Sequence, residues 1–143
     1  MSQQRAALEE ANRRFYRAFE SLKLERMEGV WRRDGQIWCV HPGWPLLSGW
    51  EAVMRSWRLI FEATRYIEFE LTNVSIHAPA DGRGGLGWVL CQENFLSHVG
   101  GQTVRSNVLS TNVFEWREER WQLLHHHGSQ IVRDALPPEF GGG

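Results

Sequence analysis

Histidine is the side chain whose ordinary titration falls nearest neutral pH, so the six histidines of this chain are where proton chemistry is first sought. His41 lies in Val40-His41-Pro42-Gly43-Trp44-Pro45-Leu46-Leu47-Ser48-Gly49. Two prolines three residues apart exclude an ordinary helix there, because each fixes its φ and removes a backbone donor. The imidazole is thus carried on a stiff loop beside Trp44. It either takes and gives a proton at the rim of a pocket or is bonded to the loop backbone. A second cluster is His125-His126-His127. Three adjacent histidines suggest a metal, but successive side chains of a strand point to opposite faces, so at most His125 and His127 converge. Two ligands do not complete a zinc site, and the sequence predicts no metal and no cofactor. His126 shares a face with Leu124 and is expected to look inward, with His125 and His127 outward beside Trp121 and Leu123.

The third group is a row of amides. Leu86 to Val99 alternates, with Trp88, Leu90, Gln92 and Asn94 on one face and Val89, Cys91, Glu93 and Phe95 on the other. Gln92 and Asn94 on a pocket-facing side can hydrogen-bond a neutral carbonyl or hydroxyl. Equally, each is a satisfied buried amide or an exposed strand residue. On the opposite side, Val89, Cys91 and Phe95 then make an apolar outer patch, which suits a second copy of the chain.

The elements that hold these residues follow from periodicity. Leu8, Ala11, Phe15, Ala18, Phe19 and Leu22 form one helical stripe, and a short second helix spans about Leu24 to Trp31. Ile37-Trp38-Cys39-Val40 reads as a strand entering the His41 loop. Ser48-Gly49-Trp50-Glu51 matches a capping box. It opens a third helix whose apolar face is Trp50, Val53, Met54, Trp57, Ile60 and Phe61. From Tyr66 the period changes to two. Strands are predicted over Tyr66–Ala78, Leu86–Val99, Thr103–Arg117 and Trp121 to about Val132, with a break in phase near Thr72-Asn73 and a hairpin at Gly100-Gly101. Short turns make these four strands antiparallel. Segregated helices and strands give an α+β domain.

The 143 residues fit one domain, with a core over about 5–132 and a loose tail over 133–143. A formal net charge of −1 argues against nucleic acid or an anionic membrane as partner. No apolar run is long enough to span a bilayer. The N-terminus has no signal-like h-region, which predicts a cytoplasmic protein. Cys39 and Cys91 fall in predicted strands and read as buried free thiols. Eight tryptophans are many for this length, and some are expected to wall a ligand cavity.

The order helix, helix, Ile37-Trp38-Cys39-Val40-His41-Pro42-Gly43-Trp44, capped helix and long strands ending Trp121-x-x-x-His125-x-His127 resembles the SnoaL-like branch of the nuclear transport factor 2-like superfamily. The groups nearest to it are the ketosteroid isomerase-like proteins and the association domain of calcium/calmodulin-dependent kinase II. The resemblance covers about residues 5 to 132. It implies a cone in which three N-terminal helices and a curved antiparallel sheet enclose one pocket, and a homodimer through the outer sheet face. It sets His41-Pro42 where isomerase-like members carry an Asp-Pro with a basic aspartate. Tyr16 comes within one position of their oxyanion tyrosine. Gln92 and Asn112 fall where the kinase association domain has two pocket arginines. Neutral amides cannot clamp a carboxylate as guanidinium does, so the implied ligand is neutral. Trp57, Phe61 and Trp88 are expected to line the cavity with Trp44, and His126 to look into it.

Three functions fit this reading. One is a proton-transfer enzyme (isomerase, cyclase or dehydratase) with His41 as acid or base and the amides polarising a substrate oxygen. The others are a non-catalytic binder of a neutral molecule and a dimerisation module.

Overall fold

In the first helix the buried positions Leu8, Ala11, Asn12, Phe15, Tyr16 and Ala18 recur every three or four residues, and that stripe lies on a sheet. The computed structural model describes residues 2–80, 85–132 and 136–140. The helices are α1 (Ser2–Ser21), α2 (Leu24–Glu28) and α3 (Trp50–Ala63). The strands are β1 (Trp38–Val40), β2 (Leu47–Ser48), β3 (Thr64–His77), β4 (Leu86–Val99), β5 (Gln102–Arg117) and β6 (Arg120–Gln130). They form one curved, unclosed sheet in the order β2-β1-β6-β5-β4-β3. The architecture is α+β, with three helices packed on the sheet.

The four long strands are antiparallel, as their short connections require. At Gly100-Gly101 both φ values are positive (57° and 80°), the backbone that a two-residue hairpin needs. The phase break in β3 is a bulge between Thr72 and Ser75, with Asn73 at φ 52°. The expectation of an antiparallel sheet fails at the other edge, where β1 runs parallel to β6, pairing Trp38 with His125, Cys39 with His126 and Val40 with His127. A long crossover through the central elements makes that parallel pairing feasible.

Ser48 does not cap α3. Its backbone belongs to β2, opposite Trp38, and the helix begins after Gly49 at φ 91° without a side-chain cap. The strand pairing holds Ser48 extended, and the turn into the helix falls on the glycine.

The two faces of β4 are the reverse of those expected. Val89, Cys91 and Glu93 are buried against the helices, whereas Trp88 and Leu90 are exposed. Gly87 shows why. A Cβ there would stand 2.7 Å from Leu8 Cδ2 and 3.0 Å from the His77 carbonyl, so this glycine lets α1 settle on the odd-numbered face. One residue fixes the pleat, and every other side chain of the strand follows it.

The loop over 79–85 is predicted correctly at its described ends, but residues 81–84 lie outside the described residues. So do 133–135 and 141–143 of the expected loose tail, whose described part contains a short helical turn at Pro138–Phe140. Among the described residues, no helix is long and apolar enough to cross a membrane.

Candidate active site

Burial, more than any surface cleft, singles out one region. On its inner face the sheet carries polar groups that no water reaches, and each needs a protein partner or costs about 1–3 kcal/mol. They are joined in a directed chain. Ser110 Oγ and Tyr16 Oη both donate to Glu93 Oε2, each at 2.5 Å. Asn112 Nδ2 donates to Tyr16 Oη at 3.2 Å and to Asn12 Oδ1 at 2.9 Å. His126 Nδ1 stands 2.6 Å from Asn112 Oδ1. An amide oxygen only accepts, so His126 carries its proton on Nδ1 and keeps its lone pair on Nε2. Tyr16 and Asn12 are four residues apart on α1, Glu93 is on β4, Ser110 and Asn112 are on β5 and His126 is on β6.

His41 approaches from the other side, just beyond β1. It is only 4% exposed. Its Nε2 lies 2.8 Å from Ser56 Oγ on α3, and its ring meets Trp57 edge-on at 4.7 Å and Trp44 at 5.0 Å. The rings of His41 and His126 are 6.4 Å apart. Burial holds both imidazoles neutral. It lowers the His41 pKa to about 4, and it pushes that of His126 well below the usual histidine range, with His41 adding to the effect. Burial raises the Glu93 carboxyl, against the pull of the Ser110 and Tyr16 hydroxyls. The Tyr16 hydroxyl is raised by burial and then by Glu93, and the Cys91 thiol is pushed up to about 11.

Aromatic rings occupy the space between helices and sheet. Trp57 and Phe15 are fully buried, with ring centroids 5.8 Å apart. Phe19 lies 4.8 Å and Phe61 5.7 Å from Trp57. The expected hollow is thus filled by interlocking rings around His41 and His126. The indole Nε1 of Trp57 is buried with no hydrogen-bond partner among the described residues.

Of the residues expected to form the site, the structure brings Tyr16, His41, Trp44, Trp57, Phe61, Asn112 and His126 together. It removes three. Trp88, 40% exposed, stacks on His77 at 4.2 Å on the outer face. Gln92 Nε2 donates to Asn94 Oδ1, and Asn94 Nδ2 to Thr72 Oγ1 and the Glu70 carbonyl. These amides tie the outer face together, and Asn94 borders an open hollow of about 580 Å³ there, with Glu68, Glu70, Arg105 and Asn107. Gln92 and Asn112 therefore cannot meet one ligand. Val89 and Cys91, expected as an outer apolar patch, lie in the core instead.

His126 points inward and His127 outward as expected, but Trp121 and Leu123 join His126 inside. A bulge pairs Val113 with His125 and Phe114 with Leu123, leaving Leu124 as the extra residue, and this shifts the phase of β6. His125 Nδ1 lies 3.2 Å from the Trp38 carbonyl. Among the described residues no three His, Cys, Asp or Glu side chains are placed to hold a metal.

Asn12, Ser56, Glu93 and Ser110 were not singled out by the sequence. Each carried a signal: a polar residue within an otherwise apolar stripe or strand face, where an unpaired polar group is costly.

Comparison with known proteins agrees with this architecture. Residues 8–133 match the SnoaL-like domain. A Streptomyces avermitilis structure, provisionally assigned as a dehydratase of the nuclear transport factor 2-like family, is 36% identical, with a TM-score of 0.83 over 92% of this chain and 98% of its own. A Thiobacillus denitrificans structure, provisionally assigned as a calcium/calmodulin-dependent kinase II association domain, is 30% identical, with a TM-score of 0.74 over 87% and 94%. The F-box protein SKIP8 of Arabidopsis thaliana is 29% identical over 128 residues, which are 90% of this chain and 51% of that relative. The chain thus spans about half the length of this curated relative. On the strength of the match over nearly its whole length, the chain belongs to the SnoaL-like domain family.

Proposed function

We propose that this domain moves a proton to or from a small neutral molecule, in a dehydration or an isomerisation, with His41 as the group that takes it. The observation that carries this reading is a neutral imidazole, held in a dry aromatic surround, whose Nε2 side is committed to Ser56. Such an imidazole is unprotonated at neutral pH, with a lone pair available, and only a ligand that displaces its cover can reach it. That cover is Trp44, 39% exposed, on a loop where Gly43 has φ 83°. The buried chain ending at Glu93 fixes the orientation of His126, whose ring lies 6.4 Å from that of His41. The dehydratase assignment of the S. avermitilis relative points the same way.

The test is proton exchange at the α-carbon of a panel of cyclic ketones and β-hydroxy ketones in D2O, followed by NMR. Wild-type protein is expected to accelerate exchange for at least one member. His41→Gln, folded by circular dichroism, is expected to lose about a hundredfold or more. Equal rates in the two proteins would refute the role of His41. Saturable binding without exchange would leave a ligand-binding domain.

The outer sheet face supports a second, compatible proposal, a homodimer. Trp88, Leu90 and Leu109 stand exposed there, Leu109 by 51%. Sedimentation equilibrium at micromolar concentration is expected to show a dimer, and Leu109→Lys is expected to shift it toward monomer. A wild-type monomer would exclude this assembly.

A further inference from the structure

We infer that Ser56 is the positioning residue that decides which nitrogen of His41 is basic. The inference rests on the proton-transfer reading only for its consequence, since the geometry stands alone. Ser56 Oγ lies 2.6 Å from the Val53 carbonyl oxygen, one turn back on α3. A carbonyl only accepts, and two oxygens that close without a proton between them repel, so the single serine proton is spent on Val53. Ser56 Oγ then has only lone pairs to offer His41 Nε2 at 2.8 Å. Nε2 must supply the hydrogen. The lone pair of the neutral ring therefore sits on Nδ1, and this is the atom that takes a substrate proton.

The surroundings do not compete with this assignment. Cys39 Sγ is 3.7 Å from Nε2 and 4.0 Å from Nδ1, too far for a strong bond to either. His126, the other titratable side chain facing His41, has its own proton fixed on Nδ1 by Asn112. The two imidazoles are thus held in opposite tautomers, one by a helix serine and the other by a strand amide. Ser56 is itself buried, as are Val53 and Trp57 on the same helix, so the hydroxyl stands out of bulk water.

The experiment reads the tautomer directly. Protein labelled with ring-15N histidine is examined by long-range 1H–15N correlation at neutral pH, with His41 assigned by its absence in His41→Gln. The expected result is a protonated Nε2 and an unprotonated Nδ1. In Ser56→Ala the ring is expected to become a mixture of tautomers, and in Ser56→Thr, which keeps the hydroxyl, to return to Nε2–H. On whichever substrate exchanges, Ser56→Ala is expected to lower kcat about tenfold with KM little changed, as the loss of a buried hydrogen bond to the reacting ring implies.

A wild-type His41 protonated on Nδ1 would overturn the inference, and this reading does not depend on any variant folding. An unchanged tautomer in Ser56→Ala would also overturn it. The two proposals fail separately. Nε2–H without exchange on any substrate removes the enzyme and leaves the tautomer, while exchange by an Nδ1–H protein does the reverse.

Discussion

Trp57→Ala is expected to cost about 3–5 kcal/mol of unfolding free energy, the range for emptying a fully buried aromatic site. The ring is not exposed at all and lies against Phe15, Phe19, Phe61, His41 and His126, so its loss leaves a hole bounded by five other rings. Those neighbours are anchored on α1, on α3 itself, on the loop after β1 and on β6, which limits how far they can collapse into the space. Against a typical total of about 5–15 kcal/mol, this single change takes a large share. Trp57→Phe is expected to cost much less than the lost ring area suggests. It deletes an indole N–H that is buried without a partner, a group worth about 1–3 kcal/mol against folding. Urea unfolding of the three proteins checks both expectations. A phenylalanine variant as unstable as the alanine one would mean that the N–H is bonded.

Acid is expected to unfold this domain earlier than its carboxylates would dictate. The His41 pKa is lowered to about 4 by burial, against about 6.5 in the unfolded chain. Between those values the unfolded state binds more protons, so stability rises with pH through the window and falls as pH drops from 6.5 toward 4. The shift corresponds to about 3 kcal/mol once the folded group has titrated. His126 is depressed in the same direction, first by its complete burial and then by His41, and adds to the loss. His41→Gln, which cannot take up a proton, is expected to flatten the slope of unfolding free energy between pH 6.5 and 4. Chemical denaturation at a series of pH values measures it, and parallel slopes for wild type and variant would show that His41 is accessible to water or already charged.

The elements were legible in the sequence because helix and strand periods are strong over long segments. Leu8 to Leu22 and Leu86 to Val99 are clear examples. The family was legible from element order and the His41 and His125–His127 segments together. Less legible was which face of β4 turns inward. Both faces mix apolar and polar side chains, Trp88 and Leu90 against Val89 and Cys91, so alternation alone is symmetric. Placing the amides inward followed from the resemblance, and it hid Glu93, the only carboxylate of the buried chain. Gly87 held the information, since a glycine within an otherwise bulky strand marks a close approach. The phase of β6 was hidden for a different reason. Its bulge at Leu124 has no glycine or proline to announce it, and it shows only once Val113 and Phe114 are paired across the sheet.

The parallel contact of β1 with β6 brings together segments almost ninety positions apart in the chain. Pairings of such separation are slow to form, because the closure entropy is lost before the contact returns anything. During synthesis β1 can pair with β2 early, but the whole of β3, β4 and β5 emerges before its other edge has β6 to lie beside. His41 and His126 can face each other only once the last long strand is in place. A ribosome-bound chain stopped before Trp121 would therefore hold α1 and its hairpins, yet lack any trace of the paired imidazoles.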